Sequence, residues 1–441
     1  MVGIQNFDPK PHLAPKPVDD KLKFAGWGLT GLGLACVVVG LFVLGDVAAV
    51  KAKIAFLTGM NYIVGISFGA IAFLSAMSIT EARWSRPLKR IAEGFVAFTP
   101  VATVLFALFV TVLGGLDLYE WHNHPEQFHG HKQIWLTDGL FIGRNLVAMG
   151  LLSVVGVLYV RRSLKPDLLL ARQGGVEGPG WWNGVIGDAT DVQAESASSI
   201  GSQNWIAPVM GILYALAMSL YAFDAAMSLA PHWYANMFGG WFFASCFWAA
   251  MVWIALYSLL TRNSLGIEKL VTPAVYHDLG KLIFAFSMVW AYMFFAQLLP
   301  IWYGNMTEEI GFLLVRMTLP EWSGLSKVVG AMCFLIPFST LLSRGIKKMP
   351  IGFGIILTII AVGILLERFL VVAPSVWMEP SLPLGPVEVG IWLFFIGAFL
   401  SVVNHFISGV PPVPVTDPYM LPHPDDVHVH SRDDHHHAHG H

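Results

Sequence analysis

Long apolar runs separated by short polar connections make up most of the chain. About twenty such residues cross the roughly 30 Å hydrocarbon core as a helix, because every backbone N–H and C=O must find its partner inside the segment there. The pattern predicts ten spans, at roughly 24–45, 56–80, 91–114, 138–160, 205–229, 240–261, 280–303, 325–343, 351–372 and 388–408. The expected fold is an all-α polytopic membrane protein. Residues 1–23 read as an exposed amino-terminal tail, 24–408 as the membrane domain, and 409–441 as a disordered Pro- and His-rich tail ending in a His run.

One stretch, Tyr276 to Asn305, reads as the element the rest is organised around. His277, Asp278 and Lys281 fall within one turn at its start, and Trp302 and Tyr303 at its end, where the two membrane interfaces are expected. A snorkelling Lys with an interfacial ion pair would give the same first turn. Lys and Arg supply the orientation. Placed on the ten spans, 19 fall on the side of the two tails and seven on the other, so both termini are expected in the cytoplasm.

Composition narrows the class. With 55% hydrophobic and 12% charged residues this is not a large soluble domain, and a net charge of -3 gives no case for nucleic acid. Cys36, Cys246 and Cys333 each stand alone in an apolar run, without the paired spacings that hold zinc, iron–sulfur clusters or attached haem. They read as small core residues. Between 163 and 203 lies a Gly- and Ser-rich connection of mixed charge, expected over the cytoplasmic surface. Asp117, Glu120, His122, His124, Glu126, His129 and His131 crowd the third loop, yet without a metal-ligand spacing, so a surface facing other proteins is expected there rather than a metal site.

Polar residues within spans carry more information, since each is costly in hydrocarbon and needs a partner or a function. Tyr214, Tyr221 and Asp224 lie along one face of the fifth span, with Asp224 about a turn inside the outer interface. Asp117, Asp138, Arg144, His232, Gln297, Glu367 and Arg368 fall at a similar depth and form an expected outer cluster. At the cytoplasmic end, Glu93 is expected to join His277, Asp278 and Lys281. Ser287, Tyr292 and Tyr221, with Thr99 and intervening water, are the groups able to link the two ends as a proton path. Structural ion pairing accounts equally for each pair taken alone.

Three blocks resemble a known family. Phe223-Asp224-Ala-Ala-Met-Ser-Leu-Ala-Pro231-His232-Trp233-Tyr234-Ala-Asn-Met-Phe-Gly239, Tyr276-His277-Asp278-Leu279-Gly280-Lys281 and Ile301-Trp302-Tyr303-Gly304-Asn305 are similar to the second NrfD-like, ActF-like membrane subunit of bacterial alternative complex III. Gly115 to Tyr119 and the Arg144-bearing fourth span share the likeness, which covers roughly 55 to 375. Ala230 departs from it where the family often has a second acid, as does the His density of the third loop.

The resemblance implies two four-helix bundles, helices 2–5 and 6–9, flanked by helices 1 and 10. It implies a quinol:electron-acceptor (cytochrome c-type) oxidoreductase in the bacterial inner membrane, in which this chain sits with a homologous NrfD-like subunit, an iron–sulfur subunit, haem c subunits and lipids. Quinol oxidation would belong to the homologous partner. This chain would hold no redox centre, stabilise the assembly and conduct protons. Two other readings stand beside it: a quinol-binding subunit with the headgroup near Asp224 and His232, and a secondary transporter, which would place its polar residues at mid-membrane rather than at the faces.

Overall fold

The computed structural model describes residues 8–305 and 307–420. Ten helices long and apolar enough to span a membrane account for most of it, and the described residues contain no strand. They are α1 (Asp20–Phe42), α2 (Asp46–Ile79), α3 (Arg86–Thr111), α4 (Asp138–Gln173), α5 (Val192–Leu229), α6 (Phe238–Thr261), α7 (Pro273–Gly304), α8 (Pro320–Leu341), α9 (Pro350–Val376) and α10 (Pro386–Ser408). The chain is a multi-pass membrane protein with ten spans in the expected order. Proline opens α7, α8, α9 and α10, where its fixed φ suits a first turn and its missing N–H costs nothing. Asp19 and Asp191 cap α1 and α5 by accepting from backbone N–H groups of the first turn.

Helices α2 to α5 close one ring, each packing on the next and α5 returning to α2; α6 to α9 close a second ring in the same way. The rings meet along α2 and α6, with α9 also on α2, while α1 and α10 pair and lie against α2. Glycine permits the closest approaches. A Cβ at Gly33 would stand 2.4 Å from the Phe394 nitrogen, and one at Gly69 2.3 Å from the Cys246 carbonyl oxygen, so small residues let α1 meet α10 and α2 meet α6 backbone to backbone.

The hub is α2, not the Tyr276–Asn305 stretch. Of the central window of α2, 83% is buried, against 17% for α7, which stands at the rim with Leu282, Phe295 and Trp302 facing outward. Hydropathy alone does not separate a helix that faces lipid from one that faces other helices, because both are apolar all round.

The fourth connection and the start of the carboxy-terminal tail also differ from expectation. Residues 161–173 continue α4 and α5 begins at Val192, so the 163–203 connection shrinks to 174–191 with a short helix at Trp182–Ile186. These helix ends project beyond the hydrocarbon: at 1.5 Å per residue the 36 residues of α4 reach roughly 54 Å. Their polarity misleads a hydropathy reading. Of the described residues before α1 only Val18 is buried, its N–H donating to Ser408, and the others are exposed or half-buried. Val410 and Val413 are buried too, and residues 409–420 lie across the end of the first ring. The terminal His run lies outside the described residues.

Candidate functional site

At the face away from the termini, α5 does not end as a regular helix. Residues Ala222–Ala226 form a π turn, followed by a 3₁₀ turn at Met227–Leu229, and the widened turn carries Asp224 inward. The carboxylate is fully buried. Arg144 grips it bidentately, Nε to Oδ2 at 2.5 Å and Nη2 to Oδ1 at 2.7 Å, and Asn145 Nδ2 donates to Oδ2 at 2.7 Å. The third Arg144 nitrogen donates to the Trp135 carbonyl, whose ring lies under the guanidinium. Above them the third loop folds down: Tyr119 donates to the Ala225 carbonyl, Trp121 to Ser228, and Ser228 to the Asp224 carbonyl. Every carboxylate oxygen is satisfied and an aromatic lid of Tyr119, Trp121 and Phe141 closes the end.

The expected single outer cluster is therefore several separate sites. Asp138 bonds His122 at 2.8 Å, Asp117 pairs with Lys53, and His232 is exposed with its ring over Phe128. His124, His129 and His131 are exposed on the outer side of the lid, so the third loop is half core and half surface. Among the described residues, no three His, Cys, Asp or Glu converge as metal ligands.

Glu367, Arg368 and Gln297 belong to the second ring. Arg368 is buried, donating to Ser245 at 2.9 Å with its guanidinium over Phe242, while the nearer Glu367 oxygen stands 3.4 Å from it. Beside Glu367 opens a cavity of about 280 Å³, lined by Trp233, Trp241, Trp290, Phe294, Gln297 and Arg316 among others. Trp233 stacks on Phe312 at 3.7 Å. Arg316 ties the short helix Thr307–Thr318 to the end of α9, donating to the Leu370 and Val371 carbonyls and to Ser375.

At the terminal face Glu93 does not join His277. It pairs with Arg90, which pairs also with Asp167, deep in the first ring. Asp167 in turn accepts from the Thr416 N–H and hydroxyl at 2.7 and 2.5 Å, and Asp417 receives Arg86 at 3.1 Å and Lys89 at 2.8 Å. Burial pushes the Asp417 carboxyl up, but Lys89 and Arg86 outweigh it and hold the group below the usual carboxylate range. The returning tail completes this cluster. Asp167 and Asp417 do not stand out in the sequence, because one lies in a stretch that reads as a loop and the other in one that reads as a disordered tail.

His277 and Asp278 are half-buried and Lys281 exposed, with Lys281 on Asp278 at 2.6 Å. Lys347 lies against Gly280, and burial and the charge of Lys281 push it below the usual Lys range. The relay expected above this turn is broken. Tyr292 is 69% exposed and points off the outer side of α7, Ser287 and Thr99 donate to carbonyls of their own helices, and Tyr221 is held by Asn61 in the first ring. A hydroxyl series lies instead along α6: Tyr276 with Ser258, Tyr257 with Asn404, Trp253 with Tyr62, then Ser245 with Arg368. No known protein-family model matches the chain, and no curated protein matches it.

Proposed function

We propose that the chain is an integral membrane subunit of a bacterial quinol:electron-acceptor oxidoreductase of the alternative complex III kind, with no redox centre of its own. Electrons pass through iron–sulfur and haem c partner subunits beside a homologous NrfD-like subunit, in the bacterial inner membrane with both termini cytoplasmic. The observation that carries the reading is the pair of closed four-helix rings flanked by α1 and α10, the arrangement the resemblance implies. Its first role is structural: in the first ring Asp224 is paired with Arg144, and Glu93 and Asp167 with Arg90, and the outward faces of α1, α4 and α7 offer apolar surface to lipids and partner subunits. A quinol headgroup at Asp224 and His232 is disfavoured, since Asp224 has both oxygens occupied and His232 stands apart.

Proton conduction is the second role. The half-buried His277, whose Nδ1 has no hydrogen-bond partner among the described residues, is the entrance with Asp278 and Lys281. An imidazole with a free nitrogen near neutral pH accepts and passes a proton. The hydroxyl series along α6 replaces Tyr292 as the way inward, with water bridging the gaps. Mild-detergent purification followed by mass spectrometry of the retained subunits tests the assignment. Partners with iron–sulfur and haem c spectra are expected; recovery of the chain alone, fully stable, would sink it.

A further inference from the structure

The cavity of the second ring differs from an ordinary packing gap in what surrounds it. The indole N–H groups of Trp233, Trp241 and Trp290 and Oε2 of Glu367 are all buried, and none has a hydrogen-bond partner among the described residues. All four residues line the one cavity. Buried polar groups are nearly always satisfied, so four left bare around one space mark a place for something that satisfies them. Most of the remaining wall is apolar, with Gln297, Arg316, Ser323, Ser326 and Lys327 interspersed, and the cavity sits where α7 and α8 part. Helix α7 packs on the Ala331–Leu341 half of α8, and Thr307–Thr318 fills the wedge left at the other half. Phe294 and Met317, 37% and 47% exposed, stand at the lip on the lateral side of the bundle.

Shape and polarity narrow the occupant. Trp233 lies flat on Phe312, with planes 5° apart, and Trp290 runs nearly parallel to Phe294, 8° apart, so stacked aromatic pairs make up much of the wall. At about 280 Å³ the space is roughly twice the ~150 Å³ that takes a benzene, room for one substituted six-membered ring. Indole N–H groups need acceptors, the Glu367 carboxylate needs a donor, and the lateral lip suits an apolar tail lying in the membrane. We propose that this cavity binds the headgroup of a membrane quinone or quinol: ring oxygens accept from the indoles, the quinol hydroxyl donates to Glu367, and the isoprenoid-like tail leaves past Met317. An acyl chain fits the slot but leaves all four polar groups bare. This inference is independent of the subunit assignment: quinone in this cavity of a chain that purifies alone would support the one and sink the other.

The test uses the protein as purified, with any retained partners, and two probes: decylubiquinone, and an azido-quinone for photolabelling and peptide mapping. Labelling of Trp290–Ile301 and of the Arg316–Val329 peptides, displaced by decylubiquinone, is expected. Trp241→Phe, which keeps the ring and removes one donor, should weaken decylubiquinone binding about 2- to 10-fold, the range of one net hydrogen bond. Met317→Trp, at the exposed lip and clear of the polar groups, should abolish labelling while leaving the melting temperature unchanged. Label mapping beside Asp224, unchanged labelling in Met317→Trp, or a tightly held phospholipid chain that decylubiquinone does not displace would each overturn the proposal.

Discussion

The two rings share one architecture and treat their outer buried carboxylates, Asp224 and Glu367, in opposite ways. In the first, Asp224 has three hydrogen bonds under an aromatic lid, and at the far end Arg90 joins Glu93 and Asp167 beside the returning tail, with only Glu93 Oε1 and Arg90 Nε of that cluster left without a partner among the described residues. In the second, Glu367 keeps one oxygen bare beside a cavity, and at the other end His277 keeps one nitrogen bare beside the half-exposed Asp278. A buried charge whose every lone pair is used has little left to offer a ligand or a proton. Asp224 is therefore built to hold, whereas Glu367, beside a cavity, and His277, at a half-exposed turn, retain atoms still able to react with something else.

Removing Arg144 is the largest expected perturbation. Arg144→Ala leaves Asp224 buried with only Asn145, and loss of one partner from such a pair costs about 3–5 kcal/mol. Arg144→Lys should recover part of that, since an ammonium cannot reproduce the two-pronged contact. Thermal unfolding in detergent reads both. A loss under about 1 kcal/mol for Arg144→Ala would mean that the first ring does not depend on its pairing.

How much of this was legible in the sequence follows from which forces leave a local trace. The ten spans were, because the hydrocarbon core imposes length and apolarity on each segment by itself. Asp224, Arg144 and Glu367 stood out as costly intramembrane charges, yet their depth alone grouped them into one cluster; the structure divides them between two rings. Nothing local separates a carboxylate facing an Arg eighty residues away from one facing a cavity. The centrality of α2 and the rim position of α7 were hidden for a related reason, both being uniformly apolar. Asp417 was hidden by its setting. A Pro-rich stretch reads as disordered by composition, while two basic residues more than 300 positions earlier hold it in place.

That distant pair gives the next effect. Asp417→Asn should cost about 1.5–3 kcal/mol, the range for hydrogen bonds to charged groups, and should free residues 409–420 for protease cleavage. Because the folded-state pKa of Asp417 is depressed, its contribution is fully present above the ordinary carboxylate value of 3.8 and is lost as pH falls below that through the folded value. Tail cleavage followed by mass spectrometry should stay flat from neutral pH to about 4 and rise below it in the wild-type chain. A rise already at pH 6 would show that the tail is held by something other than this carboxylate.

Glu367→Gln should do far less, a change of about 1 kcal/mol or less in either direction, because the amide relieves an incompletely paired buried charge while the cavity walls stay in place. Thermal unfolding beside Arg144→Ala makes the comparison direct. If the two substitutions cost the same, Glu367 is a structural ion in the manner of Asp224, and the contrast between the rings disappears.

The smallest effect on stability is expected at the entrance of the second ring, and there function and stability should part. Asp278 and Lys281 are 30% and 56% exposed in their side chains, so their contact at 2.6 Å is screened and worth about 0.2–1 kcal/mol. Asp278→Asn should leave the melting temperature nearly unmoved. If this turn only holds a loop in register, nothing else should change. If it feeds protons to the α6 hydroxyl series, removing the carboxylate takes one proton-carrying group away from the entrance beside His277. In membrane vesicles in which the proposed complex is driven by quinol, electron transfer should then continue at the wild-type rate while the protons moved per electron fall. An unchanged ratio in Asp278→Asn, with the complex intact, would leave the second ring as much a scaffold as the first and reduce His277 to an interfacial residue.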